Sequence, residues 1–254
     1  MRYFSIAFAL ITLLLSTTAF SQADSLKLDP IAADRPDQTE TPAIVPKGMF
    51  QFETGLLYEK TTLNTEQYLL PTLLSKYGVN EFFELRLITE VQSNNDSGVV
   101  TAGLAPVLAG FKVRISQEKG IIPATSFIGH VQFPKVASHD FAASHLAPEF
   151  RFVMQHTLNE KMSFSYNLGA EWDGETAEAT YIYTVSTGIG LSNKLGMYFE
   201  FFGFAPELHT AAHSFDSGFT YLLSNDAMLD ISGGIGLNDI APDYFLAVGF
   251  SFRI

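Results

Sequence analysis

The sequence predicts an all-β protein: a transmembrane antiparallel up-and-down β-barrel of about 12 strands, preceded by a signal peptide and a short irregular N-terminal segment. Three observations predict it. From Gly48 onward, apolar and polar residues alternate in segments of about ten residues. The one long apolar run lies at the N-terminus. The 254 residues include 23 Phe and 10 Tyr but only 17% charged residues, against about a quarter in globular proteins.

The composition excludes several kinds of function. The chain has no cysteine, which excludes a disulfide framework, a thiolate nucleophile and a Cys-ligated zinc site. The formal net charge is -12 and no run of Lys or Arg occurs. We therefore expect no nucleic-acid partner.

Residues 1–21 have the parts of a secretory signal peptide. Arg2 supplies the positive charge, residues 4–15 form the apolar run, and Ala19 and Ser21 are the small residues before a predicted cut after Ser21. The run is short for a membrane span, although an uncleaved anchor helix is the alternative. Cleavage would leave a mature chain with no candidate transmembrane helix.

Residues 22–47 are predicted to form an irregular periplasmic or plug-like segment. They are polar and contain four prolines, which break regular structure. The segment could fold into the periplasmic mouth of the barrel, with Arg35 pairing with carboxylates of the lumen. The alternative is a mobile periplasmic tail. The plug candidates are Asp34, Arg35, Asp37 and Glu40.

Residues 48–254 are predicted to form the barrel. Successive side chains of a strand point to opposite faces, so Leu85 and Leu87 share one face while Glu84 and Arg86 share the other. The predicted strands are 48–59, 66–77, 81–92, 101–115, 121–133, 145–156, 162–172, 177–191, 195–206, 213–223, 226–237 and 243–254. A soluble β-sandwich also alternates, but its strands usually have about five or six residues. Aromatic residues near the strand ends also favour a membrane barrel.

The last strand supports an outer-membrane location. Leu246, Val248, Phe250 and Phe252 form one apolar face that continues to the terminal residue. The spacing of Gly249, Phe252 and Ile254 resembles the assembly signal of bacterial outer-membrane proteins. We therefore expect two partners, membrane lipid and the outer-membrane assembly machinery.

The N-terminal segment and the start of the first predicted strand resemble a known family. Residues 33–42 (ADRPDQTETP), 45–48 (VPKG) and 50–55 (FQFETG) resemble the opening of outer-membrane transporters of the MetA-pathway of phenol degradation family, in the form common in Bacteroidetes. The resemblance implies an outer-membrane barrel with a role in uptake of hydrophobic or aromatic compounds. It implies no particular binding residues.

The polar face supplies the candidates for function. If it faces the lumen, charged residues could form a selectivity constriction. Alternatively, they could be a structural network of ion pairs that fills a narrow barrel. The candidates are Glu53, Glu84, Arg86, Glu90, Lys112, Arg114, Glu149, Arg151, Glu171 and Arg253, and Glu59, His130, Glu200 and Asp230 share the predicted face.

These observations predict a passive channel for a small-molecule solute, hydrophobic or aromatic compounds among them, with no cofactor and no metal. The alternatives are a non-transporting structural barrel with a packed lumen, and a hydrolase at the rim or in the lumen. We expect no enzymatic activity and no catalytic residues. The sequence has no G-x-S-x-G elbow, and Ser138, His139 and Asp140 are adjacent in sequence, which does not suit a catalytic triad on a strand.

Overall fold

The computed structural model of the chain describes residues 28–61 and 65–254. The predicted signal peptide, residues 1–21, lies outside the described residues, as do residues 22–27 of the predicted N-terminal segment. Among the described residues, no helix has the length and apolar character needed to cross a membrane.

The described chain is built from thirteen β-strands and one 3₁₀ turn. The strands are β1 (Phe50–Lys60), β2 (Thr65–Asn80), β3 (Phe83–Asp96), β4 (Val99–Leu104), β5 (Val107–Ser116), β6 (Ala124–Phe133), β7 (Ala147–Asn159), β8 (Met162–Glu171), β9 (Thr180–Gly190), β10 (Leu195–Pro206), β11 (Ala212–Ser224), β12 (Ala227–Gly236) and β13 (Tyr244–Arg253). The 3₁₀ turn, His139–Phe141, lies in the connection between β6 and β7.

All strands pair antiparallel, and the sheet closes on itself. β13 pairs with β1 in a register that runs from Gln51↔Arg253 to Lys60↔Tyr244. β4 and β5 both pair with β3 and are interrupted only at Ala105-Pro106, so they form one strand of the wall. The wall therefore has 12 strands, and the predicted barrel is confirmed. Closure gives each strand two neighbours, which satisfies the backbone groups inside a bilayer.

The structure corrects several predicted strand boundaries. The predicted strand 101–115 is the interrupted pair β4 and β5. β2 and β3 have 16 and 14 residues, so they continue through residues 78–80 and 93–96, which lie between the predicted strands. These stretches contain Gly and Asn, which favour turns locally, but pairing with the neighbouring strand overrides that preference.

The two ends of the barrel differ in their connections. The turns at 81–82, 160–161 and 225–226 have two residues each, and they lie at the same end as the start of β1 and the end of β13. The connections at 134–146, 172–179 and 237–243 lie at the opposite end. Outer-membrane barrels have short periplasmic turns and longer extracellular loops. The first end is therefore called periplasmic and the second outer.

The outer surface of the wall is apolar. Large apolar side chains are exposed along it, among them Leu56, Leu85, Leu87, Phe199, Phe201, Ile231, Leu246 and Val248. Aromatic rings pair near both ends: the ring centroids of Phe50 and Tyr77 are 4.7 Å apart at the periplasmic end, and those of Tyr58 and Tyr68 are 5.0 Å apart at the outer end. A surface of this kind contacts lipid, with aromatic residues at the two interfaces.

Candidate functional site: the lumen and its N-terminal segment

The described part of the N-terminal segment, residues 28–47, folds into the barrel and contains no helix or strand. It enters at the periplasmic end, where the backbone N–H of Ile31 donates to the carbonyl of Asn225 at 2.7 Å. It leaves at the same end, where the N–H of Gly48 donates to the carbonyl of Gly78 at 2.7 Å. The segment is therefore a loop folded into the lumen from the periplasmic side.

The segment forms hydrogen bonds with eleven of the 12 wall strands. Side chains of the wall contact both its backbone and its side chains. The partners, one on each of the eleven strands, are Glu53, Lys76, Arg86, Lys112, Ser126, Arg151, Asn167, Ser186, Glu200, Asp230 and Arg253. Such a distribution ties the segment to almost the whole circumference of the lumen.

One side of the lumen carries three buried cations, Lys76 on β2, Arg86 on β3 and Lys112 on β5, here called the cationic wall. Asp34 of the segment accepts hydrogen bonds from all three, at 2.8, 2.9 and 2.9 Å. Burial alone would raise the pKa of Asp34, but Lys112, Lys76 and Arg86 hold that pKa well below its usual range. Asp34 is therefore ionised across the ordinary pH range.

Further carboxylates complete the neutralisation of the cationic wall. Glu53 pairs with Lys76 and accepts the backbone N–H of Asp34 at 2.9 Å. Glu84 pairs with Arg86 at 3.2 Å, and Glu40 pairs with the same guanidinium at 2.7 Å. The predicted residues Glu53, Glu84, Arg86 and Lys112 thus form one ion-pair network with Asp34 and Glu40 of the segment.

The opposite side of the lumen carries buried carboxyl groups, Glu200 on β10 and Asp216 on β11, here called the acidic wall. The two residues are directly opposite in the strand register and are 0% and 1% exposed. The segment adds a third carboxyl group, Asp37, which accepts a hydrogen bond from Ser186 at 3.1 Å. Among the described residues, no Lys or Arg forms an ion pair with these three carboxyl groups.

Hydroxyl and backbone N–H groups bind the acidic wall instead. The Tyr198 hydroxyl donates to Asp216 at 2.6 Å, and the backbone N–H of Gln38 donates to Glu200 at 2.7 Å. The Thr39 hydroxyl contacts Glu200 and lies 2.6 Å from the hydroxyl of Thr184. The segment therefore meets this wall through uncharged donors.

Arg35 lies between the two walls and pairs with Asp230 on β12 at 3.0 Å. Its guanidinium lies against Gly55 and Gly249, which face each other across β1 and β13. A Cβ atom at either glycine would collide with the guanidinium. Glycine is used here because the arginine approaches the backbone closely.

The space left in the lumen is divided by Arg35-Pro36-Asp37, here called the bend. Toward the outer end lies a cavity of about 230 Å³, bordered by the bend and by side chains such as Ile88 and Phe245. Toward the periplasmic end lies a cavity of about 450 Å³, bordered by the bend and by Gln155, Thr157 and Thr220 among others. The bend residues are the ones that border both cavities.

The outer half of the lumen has an apolar side. The sequence analysis did not predict it, because it placed only the polar face of the strands in the lumen. A pocket of about 210 Å³ is bordered by Leu57, Phe202, Phe204, Phe245 and other residues, and it shares Leu57, Phe245 and Gln38 with the 230 Å³ cavity. The inward phenylalanines of β10 were missed because Phe199 and Phe201 make its outward face apolar as well.

The other predicted residues lie at different depths and do not form one ring. Arg151 pairs with Glu149 at 2.9 Å and donates to the carbonyl of Gln38 at 3.3 Å. Glu90 borders the 230 Å³ cavity. Glu171 is half-buried, as is Arg114, which forms no ion pair with any described residue. Arg253 pairs with Asp226 at 2.7 Å at the periplasmic end.

Several lumen residues were missed by the sequence analysis. They are Lys76, Ser126, Thr184, Ser186 and Asp216. Asp216 had a usable signal, because Phe215 and the exposed Phe219 occupy the opposite face of the same strand. The Ser138, His139 and Asp140 cluster lies in an outer connection. There the Ser138 hydroxyl accepts the backbone N–H of Leu104 at 2.8 Å, while exposed His139 contacts Asp140 at 3.1 Å.

The family model described as MetA-pathway of phenol degradation matches residues 33–254. The chain belongs to this family. The match starts at residue 33 and so includes the bend as well as the barrel. No curated protein matches the sequence.

Solved structures resemble the fold at low sequence identity. An outer-membrane channel from Pseudomonas putida F1 aligns with a TM-score of 0.64 and 10% identity, over 84% of this chain and 97% of that one. The NanC porin aligns at 0.52 and 8%, over 81% and 100%, and the KdgM porin at 0.51 and 10%, over 79% and 98%. Together with the apolar outer surface, this fold places the chain in an outer membrane, as predicted.

Proposed function

We propose that the protein is a passive channel for small molecules, hydrophobic or aromatic ones among them, and that the N-terminal segment closes its lumen at the bend. The observation that supports this most directly is the division of the lumen. Two cavities lie toward opposite ends of the barrel, and Arg35, Pro36 and Asp37 border both of them. Displacing the bend would join the cavities into one path.

The outer half of the lumen supports the solute class. Leu57, Phe202, Phe204 and Phe245 border a pocket of about 210 Å³, with Gln38 and Glu59 among the polar groups. Binding sites for small molecules are mostly apolar with a few polar groups, and an apolar cavity on the order of 150 Å³ holds benzene. A single aromatic ring therefore fits the chemistry of this pocket.

Passage through this lumen requires no energy source, cofactor or catalytic group. The solute would enter from the outer end, bind weakly against the apolar side, and leave through the periplasmic cavity once the bend moves. The last strand, β13, closes the barrel against β1, and its outward Phe250 and Phe252 lie near the periplasmic end. We infer that this strand is recognised by the outer-membrane assembly machinery.

A permanently closed structural barrel is the second candidate. The hydrogen bonds between the segment and eleven wall strands favour it, because each bond opposes displacement of the segment. The two candidates differ in whether the segment moves. A covalent lock on the segment separates them.

The lock is the double variant Thr39→Cys/Thr184→Cys. The two hydroxyl oxygens are 2.6 Å apart, and sulfur atoms at these positions are within reach of an S–S bond of about 2.05 Å. The chain has no other cysteine. We expect conductance in planar bilayers to fall at least about tenfold on oxidation and to return on reduction, as blocking the single path requires.

The same bilayers report the solute class. Benzyltrimethylammonium and tetramethylammonium both carry a permanent charge and differ by an aromatic ring. We expect the reduced protein to pass the aromatic ion more readily, measured as the reversal potential with one ion on each side. The single variants Thr39→Cys and Thr184→Cys are controls and should not respond to oxidation.

Two results would contradict the proposal. Unchanged conductance in the oxidised double variant, with the disulfide verified by mass, would show that the segment does not close the lumen. Absence of conductance in the wild-type and reduced proteins between pH 5 and pH 9 would establish the structural barrel instead.

A further inference from the structure

Three carboxyl groups meet where the bend contacts the wall. Glu200 and Asp216 are fully buried and directly opposite each other on β10 and β11. Asp37 of the bend is half-buried and is hydrogen-bonded to Ser186 on β9. The Oδ1 atom of Asp216 is buried and has no hydrogen-bond partner among the described residues. A proton on a neighbouring carboxyl group would give this oxygen a partner.

The cations near the bend are already paired. Arg35 pairs with Asp230 at 3.0 Å, and Arg151 pairs with Glu149 at 2.9 Å. The titratable and charged groups around Asp37 are Asp34, Arg35 and Glu40 of its own segment, Arg151 on β7, Glu160 and Lys161 in the β7–β8 turn, Tyr198 and Glu200 on β10, Asp216 on β11 and Asp230 on β12. Lys161 is exposed to solvent at the periplasmic end.

Burial and mutual repulsion both favour the neutral forms of neighbouring carboxyl groups, so ionising all three of these groups opposes docking. We propose that the N-terminal segment is a proton-dependent plug, which stays docked while Asp37, Glu200 and Asp216 hold protons and leaves the acidic wall when they ionise. This regulation depends on the proposed closure of the lumen by the bend.

The pKa of Asp37 supports this direction. It is raised from 3.8 to about 8, mainly by burial and to a smaller extent by the charges of Asp216 and Asp34, while the hydrogen bond from Ser186 works in the opposite direction. The docked segment therefore binds a proton more tightly than the released one. Docking is strongest at low pH, and each pH unit between about 4 and about 8 shifts the docked-to-released ratio by up to about tenfold.

The cationic wall limits how far the segment can move. Asp34 stays ionised and keeps its three contacts with Lys76, Arg86 and Lys112 at 2.8 to 2.9 Å. Release from the acidic wall is therefore a displacement of the bend alone. It would open the path between the two cavities while one side of the segment remains attached.

The test is the conductance of the full chain in planar bilayers between pH 5 and pH 9. We expect the wild-type conductance to rise by about tenfold or more over this range, consistent with the linkage above. Asp37→Asn remains uncharged and should keep its pH 5 conductance up to pH 9. Asp140→Asn, in an exposed outer connection, is the matched control and should follow the wild type.

The outcomes separate this regulation from the closure itself. A flat wild-type profile, with the Thr39→Cys/Thr184→Cys lock still controlling the current, would overturn the proton dependence and leave the closure in place. If the lock has no effect, the closure fails whatever the pH profile is. An Asp37→Asn profile equal to that of the wild type would also overturn the proposal. If that variant does not fold, judged by heat-modifiable gel migration, Asp37→Ala, which is also uncharged at this position, replaces it with the same expected profile.

Discussion

The cationic wall and the acidic wall hold the same segment by different means. On the cationic wall, buried Lys76, Arg86 and Lys112 meet the opposite charge of Asp34. On the acidic wall, buried Glu200 and Asp216 meet the like charge of Asp37. The comparison teaches that a buried charged group stabilises a contact without a proton only when its partner carries the opposite charge. With a like partner, the contact depends on a proton.

The two contacts also depend on pH in opposite ways. The folded-state pKa of Asp34 is depressed, so the stability that it contributes is present above its usual value of about 3.9 and is lost only as the pH falls below that. The pKa of Asp37 is raised to about 8, so its contribution is present at low pH and is lost as the pH rises through that value. Between pH 5 and pH 9, only the acidic wall is therefore expected to respond.

The strongest way to break the comparison is Asp34→Asn. It removes the charge that faces three buried cations, and leaving a buried charge without its partner costs about 3 kcal/mol or more. That cost lowers the docked-to-released ratio by about a hundredfold. We expect the variant to conduct at pH 5, where the wild type is closed, as measured in planar bilayers.

Asp37→Asn is the matched comparison for Asp34→Asn, because it makes the same chemical change three residues further along the segment, where the segment meets the other wall. It should remain closed at pH 5 and at pH 9. If Asp34→Asn also stays closed at pH 5, the cationic wall does not anchor the segment, and the difference between the walls disappears.

The sequence was sufficient to predict the face of most charged residues of the lumen, Lys76 and Asp216 excepted, but not what they contact. Alternation of Leu85 and Leu87 with Glu84 and Arg86 placed the last two in the lumen, where they lie. Alternation has a period of two residues and carries no information on depth or on the facing strand. The contact between Asp34 and Lys112 joins residues 78 positions apart and exists only because the barrel closes.

The polarity of the lumen shows a second limit of sequence reasoning. An inward residue was recognisable only where the outward face had the opposite polarity. On β10, inward Phe202 and Phe204 alternate with Phe201 and Gly203, so no polar stripe marks the inner face. The apolar side of the outer cavity therefore became visible only in the closed barrel.

A smaller effect on conductance is expected from weakening the pair between Arg35, which lies between the two walls, and Asp230. In Gly249→Ala, the added methyl group would occupy the position of the Arg35 guanidinium, so the side chain must move and its 3.0 Å pair with Asp230 is lost. We expect docking to weaken by about 1.4 kcal/mol, which is about tenfold in the docked-to-released ratio. Conductance at pH 5 and at pH 9 should both increase.

Gly190→Ala is the matched control for this prediction. A Cβ atom there would meet the carbonyl oxygen of Lys161 at 3.7 Å, an ordinary contact, so conductance should not change. A Gly249→Ala variant with wild-type conductance would show that the Arg35–Asp230 pair does not hold the bend, leaving the two walls as the remaining attachments.

The smallest expected effect comes from Ser186→Ala, and it tests whether the acidic wall alone responds to protons. The Ser186 hydroxyl donates to Asp37 at 3.1 Å and lowers its pKa, so it stabilises the docked segment more when Asp37 is ionised than when Asp37 is protonated. Removing it should therefore change conductance less at pH 5 than at pH 9. At pH 9 it should favour release by about threefold, from a lost contact of about 0.7 kcal/mol.

Ser126→Ala provides the contrast, because the Ser126 hydroxyl donates to the carbonyl of Pro42 at 2.7 Å, a group that does not titrate. Its loss should favour release by a similar factor at both pH values. Equal behaviour of the two serine variants at pH 5 would mean that Ser186 stabilises the docked segment whether or not Asp37 is charged. In that case the hydrogen bond from Ser186 would not distinguish the two charge states of Asp37, and the acidic wall would respond to protons through burial and the repulsion among Asp37, Glu200 and Asp216 alone.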